Sequence, residues 1–194
     1  MSVFRLYLEL GIDHIMDFKG YDHILFIITL CSVYRFSEWK RVLILVTAFT
    51  LGHTLTLVLA TFNILRISTN LVEFLIPLTI FLTALFNVLS RQEKVGRGLH
   101  LAKYSAALFF GLIHGLGFSN YLRSLLGREE KIIKSLFAFN VGIEAGQVII
   151  VLCIMSITWL AVNVARAPRK EWNLILGGAA LGISFLLMME RYPW

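Results

Sequence analysis

Long runs of apolar residues, separated by short clusters of charged residues, dominate this chain. A helix needs about 20 mostly apolar residues to cross a hydrocarbon core of roughly 30 Å. By that measure the pattern predicts six crossings: Phe18 to Tyr34, Val42 to Leu65, Leu71 to Leu89, Tyr104 to Leu122, Ser135 to Val164, and Trp172 to Met189. The linkers are too short to hold a second domain. We therefore predict an all-α integral membrane protein, with residues 1–194 forming one polytopic membrane domain.

The segment before the first crossing has a different pattern. Arg5, Glu9, Asp13 and Asp17 recur every four residues, which places one charged stripe on an otherwise apolar helix. Such a stripe is typical of an amphipathic helix that lies in the membrane interface. The sequence therefore predicts an interfacial helix over residues 1–18.

The first crossing is unusually short. Only the uncharged stretch Ile24 to Tyr34 separates His23 from Arg35, and this stretch covers about 16 Å as a helix. That length cannot span the hydrocarbon core. Unless the segment is re-entrant, Asp22 and His23 must lie below the membrane surface, in its outer layer.

Composition supports a membrane protein and excludes several other classes. The chain is 58% hydrophobic and 15% charged, with a mean hydropathy of +0.77, outside the usual range of soluble domains. Its net charge of +6 comes from clusters that flank apolar runs and form no basic stripe, so nucleic acid is not a predicted partner. Cys31 and Cys153 fall inside apolar runs without CxxC spacing, so neither a disulfide framework nor a thiolate metal site is indicated. Acids in the first twenty residues argue against a cleavable signal peptide.

The loops indicate an orientation. Lys and Arg are slightly more abundant in the first, third and fifth linkers than on the side that holds both termini. Because Lys and Arg are enriched in cytoplasmic loops, we predict that both termini lie outside.

Several ionisable residues interrupt the apolar runs. His53 lies near the middle of the run between Arg41 and Arg66, and His114 and Glu144 occupy comparable positions in later runs. Intramembrane ionisable residues are costly and usually functional. Counted from the outer ends, these three residues, Asp22, His23 and Glu73 all fall in the same half of the membrane, which suggests one shared buried site.

Uncharged polar residues surround these positions. Asn140, Glu144 and Gln147 fall at i, i+4 and i+7 on one helix face, and Thr50 precedes His53 by about one turn. Simpler interpretations exist for single residues. An isolated histidine often serves only helix packing, Asp22 could cap a helix, and Glu73 could be a first-turn acid facing lipid headgroups. His100 lies in a basic loop on the opposite side, where we expect it to be solvated.

The residue types indicate which ion such a site would hold. Imidazole and carboxylate together suit borderline divalent ions such as Ni²⁺, Co²⁺ and Zn²⁺. Cu(I) would favour Cys and Met, and no spacing of these residues converges on the histidines. A divalent transition metal ion is therefore the predicted ligand.

The sequence also contains a weak internal repeat and three pairs of glycines. Phe49-Thr-Leu-Gly-His53 resembles Phe110-Gly-Leu-Ile-His114, and both histidine helices should run in the same direction. Pairs spaced by four residues permit close helix approach within the chain or between copies in a homo-oligomer: Gly111 and Gly115, Gly142 and Gly146, and Gly178 and Gly182.

Four motifs in series give the chain a family resemblance. They are Gly20-Tyr-Asp22-His23-Ile-Leu-Phe, Thr47-Ala-Phe-Thr50-Leu-Gly-His53-Thr-Leu, Phe110-Gly-Leu-Ile-His114-Gly-Leu-Gly-Phe, and Phe139-Asn-Val-Gly-Ile-Glu144-Ala-Gly-Gln147. Together they resemble the HupE/UreJ family over nearly the whole chain. The resemblance implies a bacterial inner-membrane permease for nickel or cobalt, with His14, Asp22 and His23 as metal residues. The family's first motif is a compact His-Pro-x-x-Gly-x-Asp-His, whereas His14 stands two residues further from Gly20.

Two functions are consistent with these observations. The first is a divalent-metal permease that binds its ion at Asp22, His23, His53 and His114, with Glu144 nearby. The second is an intramembrane zinc hydrolase in which Glu144 acts as general base on a metal-bound water. The second is favoured by the scarcity of polar residues in the inner half, because a dead-end site suits an enzyme better than a channel. A structural metal clamp is a third possibility.

Overall fold

The computed structural model describes residues 2–18, 20–90, 97–126 and 132–193. It contains α1 (Val3–Met16), α2 (Asp22–Ser32), a 3-10 turn (Phe36–Glu38), α3 (Trp39–Thr61), α4 (Thr69–Leu89), α5 (Arg97–Leu126), α6 (Ile132–Trp159) and α7 (Arg169–Glu190). A π-helical turn, Leu160–Val164, extends α6. The described residues form no strand. The charged linkers predicted around residues 91–96 and 127–131 lie outside this description.

Five helices, α3 to α7, are long and apolar enough to cross a membrane. They correspond to the second to sixth predicted crossings, so the prediction of a helical membrane protein is confirmed at that level. The predicted crossing from Phe18 to Tyr34 is not confirmed, because α2 covers only eleven residues.

Helices α3 and α5 are parallel neighbours in close contact. Gly52 faces the Leu108 carbonyl, while Gly111 and Gly115 face the carbonyls of Phe49 and His53. The facing residues are about sixty positions apart in sequence, which matches the offset between the repeated motifs. His53 and His114 are therefore brought to the same level, as the parallel repeat predicts.

Helix α1 packs along the N-terminal half of α6. Gly142 faces the Leu8 carbonyl, Gly11 faces Phe139 and Ile143, and Gly146 faces Ile12 and Ile15. Contacts that advance in the same direction on both helices mean that α1 and α6 run parallel. The charged stripe occupies the outer face of α1, where the exposed Arg5 and Glu9 form an ion pair at 2.8 Å. The structure therefore does not confirm an interfacial helix, because α1 lies against a spanning helix.

Helix α2 lies in the centre of the bundle. Nine of its eleven residues are buried, so it faces protein on nearly every side. Its two ends contact opposite ends of α7: Asp22 pairs with Arg191, and the Val33 carbonyl accepts a hydrogen bond from Arg169. The Asn87 amide of α4 donates to the Thr29 carbonyl at 2.8 Å and fixes α2 further.

Helices α1 and α2 follow one another in the chain, with a break between them. Helix α2 is antiparallel to α7, and the remaining helix contacts place α1, α2, α4 and α6 in one direction. Helix α1 is about 21 Å long and α2 about 16 Å long. Their combined length exceeds the hydrocarbon thickness of roughly 30 Å. The break between Met16 and Asp22 therefore falls within the bundle, and it positions the site described next.

Two of the three glycine pairs serve packing inside the chain. The third pair, Gly178 and Gly182, lies on α7, where a Cβ atom added to either residue would meet no other described atom within 4 Å. Association between copies through this face stays a prediction.

Candidate metal site

Three histidines from three helices converge at the break between α1 and α2. His14 lies in the last turn of α1, His23 in the first turn of α2, and His53 in the middle of α3. Ring centroids are 4.8 Å apart for His14 and His23, 5.9 Å for His14 and His53, and 6.0 Å for His23 and His53. One ring nitrogen from each lies within 4.8 Å of the others. Nitrogens that share one tetrahedral ion are about 3.4 Å apart, so small side-chain rotations allow the three to hold one metal.

Four of the six ring nitrogens of this triad are buried and lack hydrogen-bond partners among the described residues. These are Nε2 of His14, Nε2 of His23, and both nitrogens of His53. The His53 side chain is fully buried, yet a neutral imidazole carries one N–H that needs an acceptor. Leaving such a group unpaired costs on the order of 1–3 kcal/mol. A divalent cation is the ligand that would use several clustered nitrogen lone pairs at once.

His114 lies next to the triad and has a defined tautomer. Its Nδ1 is 2.9 Å from the Phe110 carbonyl, so Nδ1 must carry the proton and donate it. This leaves the lone pair on Nε2, which is buried and unpartnered among the described residues. The His114 ring is 5.3 Å from that of His23. A backbone carbonyl that fixes one nitrogen so that the other can ligate is a common feature of metal sites.

The two helix ends at the break carry opposite partial charges. The last turn of α1 carries the negative end of its helix dipole, and His14 lies in that turn. The first turn of α2, at the positive end, carries Asp22. Only the end of α1, which carries His14, contributes partial negative charge that no described cation offsets, because Asp22 is paired with Arg191.

Aromatic rings surround the histidines. Phe118 lies 3.9 Å from His14, Phe49 lies 4.9 Å from His114, and Phe26 lies 5.4 Å from His114, measured between centroids. These rings exclude water from the site. A bound ion must therefore exchange its hydration shell for protein ligands.

Asp22 lies at the edge of the triad and forms an ion pair that the sequence did not suggest. Its Oδ2 is 3.0 Å from Nη1 of Arg191, just after α7, and both side chains are largely buried. Its Oδ1 is buried and has no hydrogen-bond partner among the described residues. Asp22 is therefore not one of the three converging ligands, although one of its oxygens is free.

Replacing Arg191 with Gln should destabilise the metal-free protein more than the metal-loaded protein. The change leaves Asp22 partly buried without its cation, at a cost of about 1–3 kcal/mol in this partly solvated pair. A divalent ion beside Asp22 would offset part of that cost. Thermal unfolding with and without Co²⁺ measures both values, and a larger metal-induced stabilisation in the variant than in the wild type is the expected result. Equal stabilisation of both proteins would show that Asp22 does not interact with the ion.

The predicted polar face of α6 pairs with threonines on α3. Thr54 donates to Asn140, Thr50 to Gln147, and Thr47 to Glu144, each at 2.6 Å. Intramembrane hydrogen bonds of this kind contribute about 0.6 kcal/mol each on average. Their larger effect is to fix the register of α3 against α6, and with it the height of His53. The threonine spacing of i, i+3 and i+7 on α3 is the sequence signal that could have predicted this pairing.

Two acids predicted near the site make no described contact with the three histidines. Glu144 accepts its hydrogen bond from Thr47, which is six residues, or about 9 Å along the helix, from His53. Glu73 is exposed on α4 and has no contact with the triad among the described interactions. His100 stacks on Tyr104 near the start of α5, away from the triad.

A cavity of about 270 Å³ lies between α2, α4 and α5, near the C-terminal end of α2. Its walls include Leu30, Asn87 and Phe110, and the Phe110 carbonyl is the one that holds His114. Lys103 also lines this cavity, with its ammonium 5.3 Å from the Tyr34 ring. Free volume therefore exists between His114 and the C-terminal end of α2, which the distribution of polar residues in the sequence did not indicate.

We compared the sequence of this chain with known protein families. The family described as HupE/UreJ protein matches residues 1–191. The chain belongs to the HupE/UreJ family. Searches among curated proteins and among solved structures gave no significant match. The resemblance drawn from the four motifs is thus confirmed. In this HupE/UreJ protein, four histidines lie in or beside those motifs: His14, His23, His53 and His114. All four come together at the break between α1 and α2.

Proposed function

We propose that this protein is a permease for a divalent transition metal ion of the nickel or cobalt type. The ion binds at His14, His23 and His53, with His114 and the free oxygen of Asp22 beside them. Membership of the HupE/UreJ family and the buried histidine triad support this proposal. The ion is the transported substrate in this view.

One observation favours transport over a purely structural role. His14 and His23 approach the triad from the facing ends of two separate helices, α1 and α2. Transporters commonly form their ion sites at discontinuous helices, whose ends and unwound backbone contact the ion. A structural clamp has no need of this arrangement.

Uptake by the purified protein in liposomes tests the proposal. Vesicles containing a metal-sensitive dye should show saturable uptake of Co²⁺ or Ni²⁺, and the His23→Ala variant should show none. His100→Ala, which alters a histidine outside the triad, should transport normally. Absence of uptake by the wild type, with a correctly folded and inserted protein, would contradict the permease proposal.

A second candidate is an intramembrane zinc hydrolase. Three histidine ligands with one open position match the ligand set of several catalytic zinc sites. Glu144 has one oxygen that is buried and unpartnered among the described residues, as a general base would require. Against this role, its other oxygen is held by Thr47, away from His53.

Metal retention and the effect of Glu144→Gln separate the two candidates. A hydrolase should retain stoichiometric Zn²⁺ through purification without added metal and should lose activity, but not metal, in the variant. A permease should release its ion during purification. Elemental analysis of both proteins measures these properties directly.

A further inference from the structure

A polar cavity, distinct from the histidine triad, lies between the end of α3, the loop that follows it, and the last turns of α5. Its volume is about 410 Å³, within the size range of small-molecule sites. Residues of two segments form it: the end of α3 with the loop that leads to α4, and the last turns of α5. Ala60, in its wall, is seven residues beyond His53, so the cavity is about 10 Å further along α3.

Two arginines give this cavity its charge. Arg66 reaches it from the loop after α3, and Arg123 reaches it from α5. None of the described residues that line the cavity is acidic. The other polar lining residues are Asn63, Ser119 and Asn120, which are neutral. Two positive charges therefore share one cavity without a compensating carboxylate among its lining residues.

The arginines are held in place by neutral side chains. Arg123 donates to Asn63 Oδ1 at 2.6 Å and to Asn120 Oδ1 at 3.1 Å, and Arg66 lies 3.5 Å from Asn63 Oδ1. Asn63 adopts a left-handed backbone conformation, with φ of 59°, which a non-glycine residue takes at some energetic cost. These bonds use only part of the five N–H donors that each guanidinium carries. The remaining donors are available to a ligand.

The start of α4 adds to the positive potential. Asn120 donates to the Thr69 hydroxyl at 3.1 Å, which ties the first residue of α4 to the cavity rim. The first turn of α4 contains no acid, and its N-cap residue Ser68 makes no side-chain capping bond. The positive end of this helix dipole is therefore not neutralised by its own residues.

We propose that this cavity binds a phosphate group. Paired guanidiniums with preset orientation match the oxygens of phosphate, and arginine-lined pockets between membrane helices bind phosphate-bearing lipid headgroups. A divalent cation would be repelled by the same charges. The phosphate group can come from an anionic lipid or from a free anion, and the volume accommodates the rest of a headgroup.

Thermal unfolding of the purified full chain in detergent, at constant ionic strength, tests this proposal. The probes are short-chain phosphatidylglycerol, short-chain phosphatidylcholine and inorganic phosphate, and the concentration dependence of the unfolding midpoint gives an apparent affinity for each. We compare the wild type with the Arg66→Gln/Arg123→Gln double variant. Arg5→Gln is the matched control, because it removes one exposed positive charge on α1 outside the cavity.

Phosphatidylglycerol should stabilise the wild type at the lowest concentration, and the double variant should lose at least about tenfold in apparent affinity, as expected for lost guanidinium–phosphate bonds. Arg5→Gln should behave as the wild type. If inorganic phosphate is as effective as phosphatidylglycerol and shows the same loss, the source is a free anion. Equal responses of the wild type and the double variant to both anionic probes would overturn the proposal.

The single variant Arg66→Gln controls for the possibility that the double variant loses affinity because it is misfolded. Arg123 joins α5 to the loop after α3, so its loss could destabilise the protein, whereas Arg66 makes only one long contact with the described residues. Arg66→Gln should unfold at the wild-type temperature in phosphatidylcholine and still bind the anionic probe several-fold more weakly. An unchanged affinity in this variant would also count against the proposal. Neither readout depends on metal binding, so the permease proposal is tested separately.

Discussion

Replacing His53 with Ala is expected to abolish high-affinity binding of Co²⁺, Ni²⁺ and Zn²⁺ while leaving the protein folded and inserted. His53 is fully buried, and both of its ring nitrogens are unpartnered among the described residues, so it has no other polar role in the structure. Loss of residues that merely support a metal ligand typically reduces affinity 10–100-fold. Loss of a ligand itself should therefore reduce affinity by at least about a hundredfold.

The stability of the same variant should change little, because two effects oppose each other. Truncation to Ala leaves a cavity, which in a well-packed core costs up to several kcal/mol. It also removes an unpaired buried polar group, which relieves about 1–3 kcal/mol. Calorimetric titration of the purified protein measures affinity, and thermal unfolding measures stability. The His100→Ala control should match the wild type in both measurements, and wild-type metal affinity in His53→Ala would remove His53 from the site.

Hydropathy alone was sufficient to predict most of the architecture. The five apolar runs after Val42 are long enough to span, and each became a helix at the predicted place. The clustering of His23, His53 and His114 also followed from the sequence, because all three were placed in the same half of the membrane, where ionisable residues are costly unless they share a site. The repeat around Phe49 and Phe110 predicted the parallel arrangement that brings two of them level.

The placement of α1 was not predicted, for a specific physical reason. A charged stripe with a spacing of four residues looks the same on a helix at the membrane surface and on one packed against a bundle. The distinguishing signal is on the opposite face, where Tyr7, Gly11 and Ile15 are buried with the same spacing. Gly11 on this face complements Gly142 and Gly146 on α6, and this pairing could have suggested that two helices meet.

Sequence patterns could not predict the long-range partners of the acidic residues Asp22 and Glu144. Asp22 pairs with Arg191, which is 169 positions away and just after the last helix. No local spacing connects them, because their proximity results from the antiparallel packing of α2 against α7. Glu144 was expected beside a histidine, but the register between α3 and α6 places its oxygen against Thr47 instead.

Replacing Gly142 with Ala should separate α1 from α6 and thereby weaken metal binding. The added methyl group would overlap the Leu8 backbone carbonyl, and backbone atoms cannot move aside as a side chain can. Overpacking of this kind costs about 1–3 kcal/mol, although Ala would otherwise favour the helix by up to about 1 kcal/mol. His14 is carried by α1, so displacement of α1 removes one ligand from the triad. We expect a lower unfolding temperature together with at least about a tenfold loss of Co²⁺ affinity.

Gly178→Ala is the matched control, because the same substitution on α7 meets no described atom within 4 Å. It gains the helix-favouring effect of Ala without the overlap, so its unfolding temperature should equal or exceed that of the wild type, and its metal affinity should be unchanged. The opposite signs of the two stability changes separate close packing from a general effect of removing glycine. If Gly142→Ala behaved like Gly178→Ala in both measurements, α1 would not be docked on α6 as the structure places it, and His14 would lose its support as a ligand.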